Sequence, residues 1–378
     1  MIEDSLNNYS QELRTTGLHR QRRLVCSSKF SLNFSSNDYL SLTHEKHIKK
    51  AFQIGFEKYP CGSGGSMVVC GYHPIHKSLE HAFSQALTID DALLFSSGYA
   101  ANLGVISLLA RLDAHLYIDK SIHASFYDGI QLNNARYTRF LHNNLRDLQT
   151  RLLTTTSDSI VLTEGIFSMS GQLAPLSEIS DLCNKSQSNL IVDEAHAFGV
   201  LGPQGLGAVV HYRLDQQQVP LRIIPFGKAF GAQGAIVVGE SRWIDALLQS
   251  ARSHTYSTAI SPAITYGLLE TLTVIMDADE RRKKLFELVD YFHKAIKLSP
   301  LKWSPSQTPI QQLQLGCPRK ALYYAAQLQQ QGIFCQPMRE PTVTKKDTGL
   351  RVILNYHHEP KDIETLFLTL EQIYESEH

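Results

Sequence analysis

An α/β fold, with a mostly parallel central sheet between helices and a smaller α+β domain at the C-terminus, is what this sequence predicts, and three observations carry the prediction. From about residue 75 to 240, short continuous apolar runs alternate with helical patterns, the rhythm of parallel strands covered on both faces. Beyond a long helical region at about 262–297 the rhythm changes to a compact helix–strand–strand–helix series. The length, 378 residues, is enough to bury one large core and a second, smaller one. The expected organisation is an N-terminal helix and arm at 1–40, a large α/β domain at 41–272 and the α+β domain at 273–378.

Taken in order, Glu3 to about Leu24 has a helical pattern that turns basic at its end, in His19-Arg20-Gln21-Arg22-Arg23, a run that reads as a solvated face. A strand-like piece, Phe30 to Phe34, leads into Ser35-Ser36-Asn37-Asp38-Tyr39-Leu40. An amphipathic helix around His47 to Phe56 is followed by the glycine-rich turn Cys61 to Ser66, too flexible for regular structure. Ala92 to Phe95 reads as a strand, Ala100 to Leu112 as a helix and Leu116 to Ile118 as a strand again. Ser159 to Leu162 and Leu190 to Val192 are the clearest buried strands, and Ile223 to Phe226 and Ala235 to Val238 flank a lysine-bearing stretch. In the last domain a helix is expected at Arg319 to Gln331, strands at Gly332 to Gln336 and Leu350 to Asn355, and a helix at Lys361 to Glu375.

Composition narrows the function. Lys+Arg and Asp+Glu are equal at 36 each, so no global field draws nucleic acid or an anionic membrane, and a small-molecule ligand is the expectation. The N-terminus is polar and acidic, and nowhere do about 18 apolar residues run together, which suggests a cytoplasmic protein. The cysteines at 26, 61, 70, 183, 317 and 335 form no C-x-x-C pair and read as reduced thiols. His44/His47 and His73/His76 lack partners at metal-site spacing, so no metal is expected.

The chemistry begins at Lys228, in Pro225-Phe226-Gly227-Lys228-Ala229-Phe230-Gly231, where no carboxylate lies beside it in sequence. An ammonium in apolar surroundings loses its proton more easily, and the neutral amine can condense with a carbonyl. Four other stretches end predicted strands, where an α/β sheet presents its ligand site. Ser96-Ser97-Gly98-Tyr99 opens a helix whose free N–H groups suit a phosphate, or is an ordinary N-cap. His123 follows a short strand and could stack on a flat cofactor, or be structural. Glu164 and Ser168 offer an acid and a hydroxyl. Asp193 directly follows a buried strand and could meet a cationic ring nitrogen, with His196 three residues on to reach an oxygen. Asp-Glu-Ala-His also occurs in helicases, but the required G-x-x-x-x-G-K-[ST] loop is missing, since Gly227-Lys228 is followed by alanine. In this order the groups match what pyridoxal 5′-phosphate needs: donors for its phosphate, a flat partner for its ring, a carboxylate for its pyridine nitrogen and an amine for its aldehyde.

Over essentially its whole length the chain resembles the α-oxoamine synthases of the aspartate-aminotransferase-like pyridoxal-phosphate superfamily. The motifs that carry this are NFSSNDYLSL (33–42), GSGGSMVVCGYHPIHKSLE (62–80), LLFSSGYAANLGV (93–105), HAS (123–125), TEGIFSMSG (163–171), DEAHAFGVLGPQGLG (193–207), FGKAFGAQGA (226–235) and PTV (341–343). The resemblance implies an aminotransferase-like fold in which residues 41–272 bind the cofactor. It implies that Lys228 forms the Schiff base with the cofactor, Asp193 pairs with the pyridine nitrogen, His196 bonds the phenolic oxygen and His123 stacks on the ring. Gly98 and Tyr99 would hold the phosphate side, with Ser168 nearby. Arg20 and Thr342 match substrate-contacting positions; Asn37, Glu164 and Arg351 are further candidates for the amino-acid side. A homodimer with interfacial sites is implied, in which Ser257 and Thr258 face the partner's cofactor.

Within the family the motifs lean toward the biotin-synthesis branch, which condenses L-alanine with a pimeloyl thioester of coenzyme A or acyl carrier protein and gives 8-amino-7-oxononanoate, CO2 and free thiol. Its rivals are the 2-amino-3-ketobutyrate ligases, which use glycine and acetyl-CoA, and a non-catalytic subunit. One departure stands out. Pro225 occupies the place of a phosphate-binding threonine or serine, and proline has neither hydroxyl nor N–H.

Overall fold

The computed structural model describes residues 2–25, 31–153 and 158–377. Seven strands form the large sheet: β1 (Asp91–Phe95), β2 (His115–Asp119), β3 (Tyr137–Phe140), β4 (Ser159–Glu164), β5 (Asn189–Asp193), β6 (Leu221–Pro225) and β7 (Ala235–Gly239). Their order across the sheet is β1-β7-β6-β5-β4-β2-β3. All neighbours are parallel except β7, which runs antiparallel to both β1 and β6. The C-terminal ends of the other six therefore share one edge, and the turn carrying Lys228 returns the chain into β7 at that same edge. Cα register pairs Glu164 with Asp193, and pairs Ala235 with both Phe95 and Pro225.

The strands are continuous apolar runs because both faces are covered; β4 is buried at every position and β5 from Leu190 onward. Helix Gly98–Arg111 is apolar nearly all round and buries Val105, Ile106, Leu108 and Leu109 in the same core as Leu116, Ile118, Leu162, Ile191 and Val237. Truncating one such side chain to alanine costs about 2–5 kcal/mol. Gly129 lets helix Ala124–Asn133 approach closely, since a Cβ there would lie 3.0 Å from Ile106 Cβ.

The chain divides into two compact units. The larger holds Asn37–Phe167 and Leu173–Arg282, with the seven-stranded sheet; the smaller holds Met1–Ser36, Ser168–Gln172 and Lys283–His378. The smaller unit contains an antiparallel sheet of Gln336–Met338, Gly349–Ile353 and Ile310–Gln314, and a parallel pair, Leu32–Asn33 with Ile333–Phe334.

Several elements differ from expectation. The first helix ends at Thr15, well before Leu24, where Gly17 takes a φ of 72° and turns the chain. The helical region at 262–297 is two helices, Pro262–Met276 and Asp279–Leu298, broken at Asp277. The strand expected at Gly332 to Gln336 divides around Cys335 into two short ones. Phe30 and Cys26 lie outside the described residues. Among the described residues no helix is long and apolar enough to cross a membrane.

Candidate functional site

Asp193, at the end of β5, is 3% exposed. Its Oδ1 accepts the Ala195 N–H at 2.9 Å, and its Oδ2 accepts Asn102 Nδ2 at 3.0 Å. No basic side chain is hydrogen-bonded to it among the described residues. Burial raises its pKa above the ordinary aspartate range, opposed by the Asn102 and Ala195 bonds and then by the charges of His123 and Lys228.

Asn102 connects this carboxylate to His123. Its Nδ2 also donates to Ser125 Oγ at 2.9 Å, and Ser125 Oγ is 2.8 Å from His123 Nδ1. The Ser125 N–H donates to the same Nδ1 at 3.3 Å, so Nδ1 is an acceptor and the imidazole proton sits on Nε2. His123 caps helix Ala124–Asn133 after the turn that follows β2, and buried Asp119 holds that turn by accepting the Ser121 and Asn143 N–H groups. The His123 pKa is lowered by desolvation, which its solvent exposure moderates, and is raised in opposition by Asp193. Asn102 and Ser125 carry this network, yet sequence reasoning assigned neither a role. The available signal was a lone asparagine in an otherwise apolar helix.

Lys228 is half-buried in the turn between β6 and β7, where its carbonyl accepts the Gly231 N–H at 2.8 Å. Phe226 and Phe230, 4.8 Å apart between ring centroids, pack with Phe83 and Phe198 beneath the turn. The carboxylate absent from its sequence neighbourhood is supplied by topology, because the charge of Lys228 bears directly on Asp193.

Three residues past Asp193, His196 is buried and its Nδ1 lies 2.6 Å from the hydroxyl of Tyr39. The Tyr39 hydroxyl is also 3.4 Å from Oδ1 of the half-buried Asn37. Glu194, between Asp193 and His196, faces the other way. It is fully buried, takes Arg222 Nη2 at 2.9 Å, and accepts the N–H groups of Ala208 and Val209 at 2.7 and 3.0 Å. Its role is to hold the chain that follows.

At the end of β1, Ser97 caps helix Gly98–Arg111 by accepting the Ala100 N–H. The N–H groups of Gly98 and Tyr99 have no protein acceptor among the described residues. The Tyr99 ring is exposed and its hydroxyl donates to Asp128 at 2.7 Å, which raises the phenol pKa. Pro225 packs on this turn: a Cβ at Gly98 would lie 2.6 Å from Pro225 Cγ. Ser257 Oγ is 3.4 Å from Ser96 Oγ, and Thr258 beside it is exposed.

Glu164 is buried at the end of β4 in the larger unit, and the remaining sequence-predicted residues belong to the smaller one. Arg20 Nη2 is 3.4 Å from Thr342 Oγ1, so two positions 322 residues apart are brought together. They line a cavity of about 440 Å³ with Arg14, Arg23, Arg339 and Glu340. None of these four arginines forms an ion pair with an acid among the described residues. Burial lowers the Arg339 pKa, and the neighbouring Arg23 and Arg20 charges lower it further. Ser168 and Arg351 are both buried in this unit, the latter in strand Gly349–Ile353.

Residues 31–368 match the model of the family described as aminotransferase class I and II. The chain belongs to that family. It is 36% identical to an 8-amino-7-oxononanoate synthase of Marinobacter nauticus, over 95% of this chain and 94% of that one. The solved 8-amino-7-oxononanoate synthase of Francisella tularensis is 31% identical, with a TM-score of 0.80 over 91% of this chain and 98% of that one. A serine palmitoyltransferase variant from S. paucimobilis with PLP and myriocin bound is 26% identical, with a TM-score of 0.89 over 97% and 96% of the two chains. The architecture is thus the aminotransferase-like fold expected, with the large sheet mostly parallel and the small one antiparallel.

The residues present at the strand edge of this aminotransferase-family chain fit pyridoxal 5′-phosphate. A cationic ring nitrogen would give Asp193 the counter-charge its burial demands. The uncommitted N–H groups of Gly98 and Tyr99 are donors at a helix N-terminus, suited to the phosphate. Lys228 supplies the amine.

Proposed function

We propose that this chain condenses L-alanine with a pimeloyl thioester, releasing CO2 and the free thiol and giving 8-amino-7-oxononanoate, with pyridoxal 5′-phosphate as cofactor. The observation that carries this reading is the buried carboxylate of Asp193, hydrogen-bonded only to Asn102 and the Ala195 N–H, at the strand edge whose next turn carries Lys228. The similarity to 8-amino-7-oxononanoate synthases over nearly the whole chain supports this reaction among those of the family.

Bound there, the cofactor supplies an aldehyde for an amine and an electron-withdrawing ring. Asp193 would hold the ring nitrogen, its negative charge favouring a proton there. Lys228 Nζ, once its amine is free, accepts the Cα proton of L-alanine. His123, fixed by Ser125 with its proton on Nε2, would cover the cofactor ring and exclude water from the reacting carbon. Arg20 and Thr342 contact the acyl donor, while Asn37, Ser168 and Arg351 serve the substrate and cofactor sides. The enzyme acts as a cytoplasmic homodimer in which Ser257 and Thr258 complete the partner's site.

The test is a substrate panel on the cofactor-loaded protein, with products read by mass spectrometry. L-alanine with pimeloyl-CoA or pimeloyl-acyl carrier protein is expected to give the amino-oxo acid. Turnover confined to glycine with acetyl-CoA would overturn the assignment. Lys228→Ala is expected to abolish turnover and the visible absorbance of the lysine-bound cofactor.

A further inference from the structure

Tyr39 lies in the turn Asn37-Asp38-Tyr39-Leu40-Ser41-Leu42-Thr43, which one carboxylate organises. Asp38 Oδ1 accepts the Leu42 N–H at 2.8 Å, and its Oδ2 accepts the Thr43 N–H at 2.9 Å and the Thr43 hydroxyl at 2.6 Å. Arg281 donates to the Leu40 carbonyl at 2.9 Å. The turn is pressed against the lysine loop: a Cβ on Gly231, whose φ is 61°, would lie 2.7 Å from Thr43 Cγ2. The loop after His196 is held as closely, since a Cβ on Gly199 would lie 2.4 Å from that of Ala229. Tyr39, only 1% exposed, is therefore fixed relative to His196 by backbone packing as well as by its own hydrogen bond.

A phenol has a single proton, and the geometry says where it goes. The Tyr39 oxygen is 2.6 Å from His196 Nδ1 and 3.4 Å from Asn37 Oδ1. At 2.6 Å the contact is shorter than an N–H donor to oxygen ordinarily makes and lies in the range of hydroxyl donors, so the hydroxyl donates to Nδ1. An imidazole whose Nδ1 accepts a hydrogen bond carries its own proton on Nε2. We infer that Tyr39 is a positioning residue that holds His196 in the Nε2–H tautomer, making it a hydrogen-bond donor to an anionic aryl oxygen at the strand edge. The assignment of that oxygen to pyridoxal 5′-phosphate rests on the function proposed above; the tautomer does not. In the opposite arrangement, with Nδ1–H donating to Tyr39 and Tyr39 to Asn37, His196 would present a bare lone pair and repel such an oxygen.

The tautomer is measurable on the cofactor-free chain by two-dimensional NMR of protein carrying 15N-labelled histidine, with His196→Asn assigning the resonances. A pyridine-type Nδ1 and a pyrrole-type Nε2 are expected in the wild type, and a mixture in Tyr39→Phe, which keeps the ring in place. A pyrrole-type Nδ1 in the wild type overturns the inference whether or not the variant folds, and so does an unchanged tautomer in Tyr39→Phe. In the loaded enzyme the variant is expected to shift the pH midpoint of the cofactor absorbance and to lower kcat roughly tenfold at unchanged KM for L-alanine. An absorbance midpoint that stays in place sinks the donor role. Loss of turnover on the substrate panel with the tautomer as expected would instead count against the reaction.

Discussion

The strand edge around Asp193 and the arginine-lined cavity of the smaller unit both hold charge without a bonded counter-ion, and they hold opposite signs. At the strand edge one carboxylate is buried and hydrogen-bonded only to an amide side chain and a backbone N–H. In the cavity four guanidinium groups gather with a single carboxylate, Glu340, among the lining residues named. The Glu194–Arg222 pair shows what the chain does when charge serves the fold alone: two buried partners 2.9 Å apart, with two backbone N–H groups completing the carboxylate. Compensated charge here is architecture. Buried without a bonded counter-ion, Asp193 leaves room for a cationic partner, whereas Arg14, Arg20 and Arg23 are exposed, so the cavity presents positive charge that water already solvates.

Four measurements sharpen or break this contrast. The largest effect is expected for Glu194→Gln, which leaves Arg222 buried beside a neutral amide and should cost about 3–5 kcal/mol in unfolding free energy by denaturant titration. A change under 1 kcal/mol would remove the distinction between the two kinds of site. Next is the acid limb of stability. His254 is buried, and desolvation holds its pKa down to about 4. Because the unfolded chain takes up this proton more readily, stability is complete above an ordinary histidine pKa and is lost as pH falls from there toward 4. That contribution is about 3 kcal/mol, and a His254→Leu stability profile should be flatter over this interval.

Asp193→Asn follows, an exchange of nearly equal size that removes the charge. It should leave the melting temperature close to wild type while lowering kcat about a hundredfold and weakening cofactor retention. Full activity would mean that the strand edge needs no cation. The smallest effect is expected in the cavity, where Arg20→Gln should raise KM for the acyl thioester about tenfold with kcat nearly unchanged. A lower kcat at unchanged KM would move Arg20 from binding to chemistry.

How far the sequence could be read follows from these same regions. The core strands were legible because burial on both faces makes them unbroken apolar runs, and Asp193 because it ends one. The edge strand Tyr137–Phe140 alternates exposed and buried positions over only four residues, too short for a period to register. The first helix was overextended because a basic run continues its polar pattern past Gly17. At the site, the single residues were visible but their connections were not. Asn102 and Asp193 are 91 residues apart, and Tyr39 and His196 are 157 apart, so nothing local announces either bond. Small polar residues in apolar segments gain meaning only when topology sets them beside a charge. The basic run at His19 to Arg23 is solvated as expected, with residues 20–23 all exposed, and after the turn at Gly17 its Arg20 and Arg23 also line the cavity.

The packing of Pro225 on Gly98 makes the two positions of this phosphate turn unequal in what they can accept. A side chain at 98 would place its Cβ 2.6 Å from Pro225 Cγ and 2.8 Å from Pro225 Cβ, and since every residue except glycine keeps a Cβ, exchanging the proline relieves only the first contact. Position 98 is thus closed to side chains whatever non-glycine residue stands at 225. A lineage or an engineer restoring a hydroxyl at 225 can do so in one step with Gly98 untouched, and variation in this turn has to pass through 225.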